Sequence, residues 1–164
     1  MSDDSKILIL TTGGTIDKVY FDAKSDYEVG DSVLSELLRQ AHVKSRYEIS
    51  PVMRKDSLEM TDEDRLILRR LVEEADAEKI IITHGTDTMT DTASVLGNIE
   101  DKTIVITGAL APARFAQSDA TFNIGMAFAA VQSLDSGVYI VMNGQVFEGN
   151  AVRKDRTKNQ FISC

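Results

Sequence analysis

Four short runs of apolar residues constrain this chain more than any other feature: Ile7-Leu8-Ile9-Leu10, Ile80-Ile81-Ile82, Ile104-Val105-Ile106 and Val138-Tyr139-Ile140-Val141-Met142. None of them alternates apolar with polar residues. Each strand they form must therefore be covered on both faces, the condition of a parallel sheet lying between layers of helices. A weaker run at 47–53 carries Pro51, which has no N–H to give a ladder, and suits an edge strand. Helical spacing fills the gaps. Leu34, Leu37, Leu38 and Ala41 fall at i, i+3, i+4 and i+7, as do Leu68, Leu71, Val72 and Ala75, then Met89, Thr92, Ala93 and Leu96, then Ile124, Ala127, Phe128 and Val131. Thr61 followed by Asp64 is the signature of a capping box opening the second of these helices. Strand alternating with helix predicts an α/β fold, with an open, mostly parallel, Rossmann-like sheet flanked by helices. Asn143-Gly144, set between apolar segments, predicts a tight C-terminal β-hairpin. With no repeat, low-complexity stretch or linker, residues 1–164 read as a single domain.

Composition narrows the function classes. The 164 residues carry a formal net charge of −8 and only one cysteine, Cys164, so no internal disulfide can form. The acidic balance argues against nucleic acid as a partner, because basic surface is needed to displace phosphate counterions. The cluster Arg153, Lys154, Arg156, Lys158 is the one local exception, and charge alone reads it as a solvated face. The apolar runs are near five residues long, against roughly 20 for a membrane span. The polar opening Met-Ser-Asp-Asp-Ser-Lys does not resemble a signal peptide. The expectation is a cytoplasmic protein that does not engage a membrane.

Ligands of open α/β sheets bind beyond the carboxyl ends of the strands. Thr11-Thr12-Gly13-Gly14-Thr15 follows the first run, Thr83-His84-Gly85-Thr86-Asp87-Thr88 the second, and Thr107-Gly108-Ala109 the third. Glycine admits close backbone approach, and a hydroxyl is a nucleophile once something activates it. Each piece also has a plain structural reading. Thr88 or Asp87 can cap the next helix, His84 reads as a satisfied structural histidine, and His42 as surface. The glycines match neither a P-loop nor a dinucleotide loop, and two distant histidines make no transition-metal set. The residues thus favour hydroxyl chemistry with no metal and no cofactor.

Thr12-Gly13-Gly14-Thr15-Ile16 and His84-Gly85-Thr86-Asp87-Thr88-Met89 resemble the two signature motifs of the bacterial-type L-asparaginases. Three further segments follow the same order: Ser25-Asp26-Tyr27-Glu28-Val29-Gly30 resembles the family's mobile loop, Asp56-Ser57-Leu58-Glu59-Met60-Thr61 its substrate-binding turn, and Val141-Met142-Asn143 with Lys154 the end of its catalytic domain. The resemblance implies hydrolysis of L-asparagine to L-aspartate and ammonia through an acyl-enzyme on Thr15. It implies that Tyr27 helps draw off the proton of Thr15 and that Thr86, Asp87 and Lys154 form a second activating set. Backbone N–H groups near Gly14 and Thr86 become oxyanion donors. Ser57 and Asp87 take the substrate's α-carboxylate and α-amino groups, with Gly14, Gly85 and Thr86 completing the binding site.

The chain also departs from the pattern. Asp17 replaces a small residue and brings a carboxylate beside the nucleophile, while Leu58 stands where many relatives have a polar side chain. The C-terminal domain that supplies an acid to a neighbouring subunit is absent, so the chain reads as a short form or a truncated one. Glu28, Glu59 and Glu148 are candidates for that acid. The expected assembly is a homo-oligomer, dimer or tetramer, with residues 17–30 as a lid. Two alternatives stay open: an amidohydrolase for L-glutamine or another amide, and a non-catalytic module that binds an amino acid.

Overall fold

The computed structural model describes residues 5–164; the polar start at residues 1–4, used above against a signal peptide, lies outside the described residues. In chain order the elements are β1 (Ile7–Gly13), β2 (Lys18–Phe21), β3 (Asp26–Val29), α1 (Leu34–Gln40), β4 (Tyr47–Lys55), α2 (Asp62–Glu74), β5 (Lys79–Thr83), α3 (Met89–Leu96), β6 (Thr103–Thr107), α4 (Ala120–Ser133), β7 (Gly137–Met142), β8 (Gln145–Glu148), β9 (Val152–Asp155) and β10 (Gln160–Ser163). Six strands form the central sheet in the order β4-β1-β5-β6-β7-β8, parallel except for β8.

Both faces of the sheet are covered, as the continuous apolar runs require. Ile7, Ile9, Ile81, Val105 and Val141 pack with Leu34 and Leu38 of α1 and with Ile124, Ala127 and Val131 of α4. The alternate residues Leu10, Ile80, Ile82, Ile104, Ile106 and Ile140 pack with Leu68 and Val72 of α2 and with Met89, Ala93 and Leu96 of α3. Each Val, Leu, Ile or Met side chain taken fully out of water contributes about 1.5–3 kcal/mol. β4 lies at the edge, and its ladder with β1 slips just after Pro51. Asn143 and Gly144, at φ 53° and 68°, make the left-handed turn that joins β7 to β8.

Three details differ from the sequence reading. The buried line of α2 is Arg65, Leu68 and Val72, while Leu71 is 39% exposed. Residues 17–30 are largely an antiparallel hairpin, β2 on β3, pairing Lys18 with Val29 and Phe21 with Asp26. A further hairpin, β9 on β10, follows β8. The capping box at Thr61 and Asp64 is present in both directions. Among the described residues no helix is long and apolar enough to cross a membrane.

The strand order positions the site. From β1 the chain steps to β4 on one side, then crosses back to β5 on the other. The connections diverge between β1 and β5, and such a switch point opens a crevice at the strands' carboxyl ends.

Candidate active site

Three loops meet at this crevice with almost no space between them. Gly14 has φ 90°, and a Cβ there would lie 2.5 Å from Cα and N of Gly85. A Cβ on Gly85 would in turn lie 2.6 Å from Cβ of Ser57. Only glycine allows these backbones to cross at such distances. Gly14 N–H also donates to Lys55 C=O at 2.9 Å, tying the β1 loop to the strand that leads into the Ser57 turn. Gly14, Gly85 and Ser57, which come from three separate segments, are thus brought together, with Thr15 and Thr86 next in sequence to the crossing.

Thr15 opens a single 3-10 turn, Thr15–Asp17, and is half-buried. Two neighbouring strand-end threonines serve the backbone. Thr12 Oγ1 donates to Thr83 C=O at 2.8 Å, and Thr107 Oγ1 donates to Val141 C=O at 2.7 Å. His84 is fully buried, with Nδ1 2.7 Å from Gly85 O and Nε2 2.7 Å from Thr92 Oγ1. That geometry fits a structural histidine. Thr88 forms no side-chain cap on α3; its Oγ1 donates to Ser57 C=O at 2.8 Å.

Lys154 comes from β9. Val152 and Phe161 of the β9–β10 hairpin are buried in the core cluster of α2 and α3, and Phe161 stands opposite Lys154 in the ladder. Seated this way, Lys154 Nζ donates to Thr86 Oγ1 at 2.7 Å and to Asp87 Oδ1 at 2.9 Å, with its side chain only 10% exposed. Arg156 adds a second, exposed cation, its Nε 3.7 Å from Asp87 Oδ1. Lys154 is therefore no solvated tail residue, although Arg156 is.

Tyr27 lies on β3, exposed, with its ring edge-to-face against Tyr20 at 5.3 Å and Phe115 at 5.7 Å. Among the described residues no hydrogen bond joins it to Thr15. The hairpin is held over the Ser57 turn by Lys18, which pairs with Asp56 at 3.0 Å. Although burial raises the Asp56 carboxyl, Lys18 and the Leu58 N–H hold it below its ordinary value, and the Lys154 charge acts in the same direction. A cavity of about 350 Å³ lies here, lined by Lys18, Tyr27, Glu28, Arg54, Asp56 and Glu59. Of the three candidate acids, Glu28 and Glu59 border it, Glu28 tied to Lys24 at 2.6 Å. Glu148 pairs with Tyr139 near the start of β7, at the opposite end of the sheet.

Asp17 is 2% exposed and holds the base of the hairpin. Its carboxylate accepts Val33 N–H at 3.0 Å, and its backbone C=O accepts Gly30 N–H at 2.9 Å and Arg114 Nη1 at 3.4 Å. Burial pushes its carboxyl up to about 6 against the lowering effects of Val33, Arg114 and Ser32. Burial pulls His84 down to about 4, and the charge of Arg65 adds to that. These two groups oppose each other in acid. The Asp17 contribution is complete below its ordinary 3.8 and is lost as pH rises through about 6. The His84 contribution is complete above 6.5 and is lost as pH falls through about 4. Asp17→Asn keeps an acceptor for Val33 and removes one slope. It is expected to stabilise the fold at pH 7 by on the order of 2 kcal/mol and to leave it unchanged near pH 3.5. Denaturant titrations across that range check this, and a variant that parallels the parent at every pH would contradict it.

Comparison with known proteins agrees with this α/β fold. The N-terminal asparaginase family, described as "Asparaginase, N-terminal", matches residues 6–161. The chain is similar to a glutaminase-asparaginase of Pseudomonas fluorescens biotype A, 33% identical over 92% of this chain and 45% of that protein. L-asparaginase 2 of Escherichia coli (strain K12) is 35% identical over 92% of this chain and 47% of its own length. The solved thermostable L-asparaginase from Thermococcus kodakarensis superposes with a TM-score of 0.82 at 27% identity, covering 96% of this chain and 51% of that one. The chain belongs to the asparaginase family. It spans about half the length of the curated relatives it matches.

The sequence reading missed Lys18, Asp56 and Arg65. Asp56 was legible only as part of the Ser57 turn, and Lys18 carried no signal. Arg65 stands three residues before Leu68 and seven before Val72, a charged residue on an apolar line, which is a signal that could have found it.

Proposed function

We propose that this chain forms one catalytic domain of an amidohydrolase that releases ammonia from the side-chain amide of L-asparagine, with Thr15 as the first nucleophile. The observation that carries the reading is the seat of Lys154 between Thr86 Oγ1 and Asp87 Oδ1 beside the Gly14–Gly85 crossing. In the first step Thr15 Oγ bonds to the amide carbon, with Tyr27 on the hairpin helping to draw off its proton. The C–N bond then breaks, and ammonia leaves carrying a proton. Backbone N–H groups near Gly14 and Thr86 hold the oxyanion, which only a fixed, close-packed pair of loops can do. In the second step water attacks the ester and returns the hydrogen to Thr15. Thr86, with Lys154 relaying its proton and Asp87 holding the lysine in place, activates that water.

Ser57 supports the substrate assignment. Its Oγ is buried without a hydrogen-bond partner, a donor left free where the α-carboxylate would sit. Asp87 takes the α-amino group, and the Lys18–Asp56 pair latches the hairpin over the bound molecule. Glu59 or Glu28 supplies the acid that borders this end, and copies of the chain assemble as a homo-oligomer in the cytoplasm. L-glutamine is the second reading, favoured by similarity to a protein named for both amides. A single methylene separates the two substrates, which is about 1–3 kcal/mol of discrimination. Ammonia release from each amide, measured in parallel, tests the proposal. Faster release from asparagine is expected; faster release from glutamine selects the second reading, and release from neither, in a folded protein, removes both.

A further inference from the structure

Arg65 carries a full charge into the interior and is only 6% exposed. Its ion pair is with Asp62, at 3.7 Å, whose side chain is 102% exposed, so that carboxylate does little to offset the loss of water around the guanidinium. Nε is buried with no partner. The two remaining nitrogens reach the site. Nη1 donates to Met60 C=O at 3.3 Å, and Nη2 donates to Thr88 Oγ1 at 2.9 Å. Thr88 Oγ1 passes the contact on, donating to Ser57 C=O at 2.8 Å. The guanidinium therefore clamps both ends of the Ser57–Met60 turn, one directly and one through Thr88, and ties that turn to the loop bearing Thr86 and Asp87. Its field reaches the same loop, where it helps to hold His84 neutral.

For folding alone this is a poor use of an interior position. A buried cation whose ion pair is with an exposed carboxylate at 3.7 Å is weakly offset, and buried ion pairs are often replaced by apolar residues of similar volume without loss of stability. The neighbouring face of α2 is already Leu68 and Val72. What the charge adds lies on the site side: it stands behind the turn whose unpartnered Ser57 Oγ faces the Gly85 crossing.

We infer that Arg65 is a positioning residue for substrate binding, which fixes the Ser57 turn through Thr88 and supplies the interior positive charge behind the place where the substrate's carboxylate sits. The inference rests on the reading given under Proposed function. It separates binding from stability, since Arg65 acts on KM and not on the reacting atoms.

The test compares Arg65→Met, Arg65→Lys and Thr88→Val in the full chain. Arg65→Met is expected to raise KM for L-asparagine about tenfold or more, with kcat within about threefold and a thermal midpoint equal to or above the parent's. Arg65→Lys recovers part of the KM because it keeps the charge and one of the two contacts. Thr88→Val reproduces the loss by breaking the same relay, and it serves as the test if Arg65→Met fails to fold. L-aspartate gives a readout independent of turnover: it raises the parent's midpoint, and that shift disappears in Arg65→Met. An unchanged KM with an intact aspartate shift overturns the inference, as does a lowered midpoint and kcat at constant KM, the pattern of a purely structural arginine. If the parent neither releases ammonia nor responds to L-aspartate, the amidohydrolase reading fails first and takes this inference with it. If the parent does both, only Arg65 is at stake.

Discussion

Thr15→Ala is expected to reduce ammonia release by on the order of 10⁴-fold or more while leaving binding of L-aspartate nearly unchanged. The size follows from the chemistry: without the hydroxyl no acyl-enzyme forms, and what remains is the effect of the backbone donors and of substrate orientation. Folding should be indifferent. Thr15 is half-buried at the start of a three-residue 3-10 turn whose N-terminal cap is backbone alone, so removing its hydroxyl breaks no cap. Steady-state kinetics with a thermal shift by L-aspartate check both halves. An unchanged rate takes Thr15 out of its role. Loss of the aspartate shift together with the rate would make it a binding residue.

The second large effect is at Lys154. Lys154→Met is expected to lower kcat by about 10²–10⁴-fold, the range of a lost proton-transfer group, with KM changed far less. Lys154→Arg is the sharper variant. It retains positive charge within reach of Thr86 and Asp87, but arginine is not deprotonated in proteins and cannot accept the Thr86 proton. The account therefore predicts that the arginine variant is as inactive as the methionine variant. Recovery of activity by arginine would assign Lys154 an electrostatic role only. Arg156, 65% exposed on the outer side of Asp87, should tolerate alanine with little change in kcat.

The sheet was readable in the sequence because buried parallel strands write themselves as continuous apolar runs; Ile80-Ile81-Ile82 and Ile104-Val105-Ile106 mark β5 and β6 directly. The two accessory hairpins left no such mark. β2 and β3 expose Tyr20, Phe21 and Tyr27, so their pairing is not signalled by a buried face, and residues 17–30 read as a loop. β9 is short and charged, and its place depends on Val152 and Phe161 finding the core of α2 and α3, more than fifty positions earlier in the chain. Hence Lys154 could be assigned through the resemblance but not through its own neighbours, which read as a solvated basic face. Asp17 shows the limit differently. Its position beside Thr15 in sequence suggested a carboxylate at the nucleophile, yet its oxygen is committed to Val33 N–H at the hairpin base, a contact sixteen residues away. The glycines were legible as close-approach positions, but which backbones they admit depended on tertiary structure: Gly14 against Gly85, Gly85 against Ser57.

The central claim is that a threonine is acylated by the amide substrate, and acid quenching of the protein during turnover of L-asparagine tests it most directly. Peptide mapping of the quenched protein should find the acyl group on the peptide that carries Thr15, and should find none in the Thr15→Ala variant. Acylation at Thr86 instead, or steady ammonia release from the parent with no acylated peptide under conditions that preserve esters, would contradict the account.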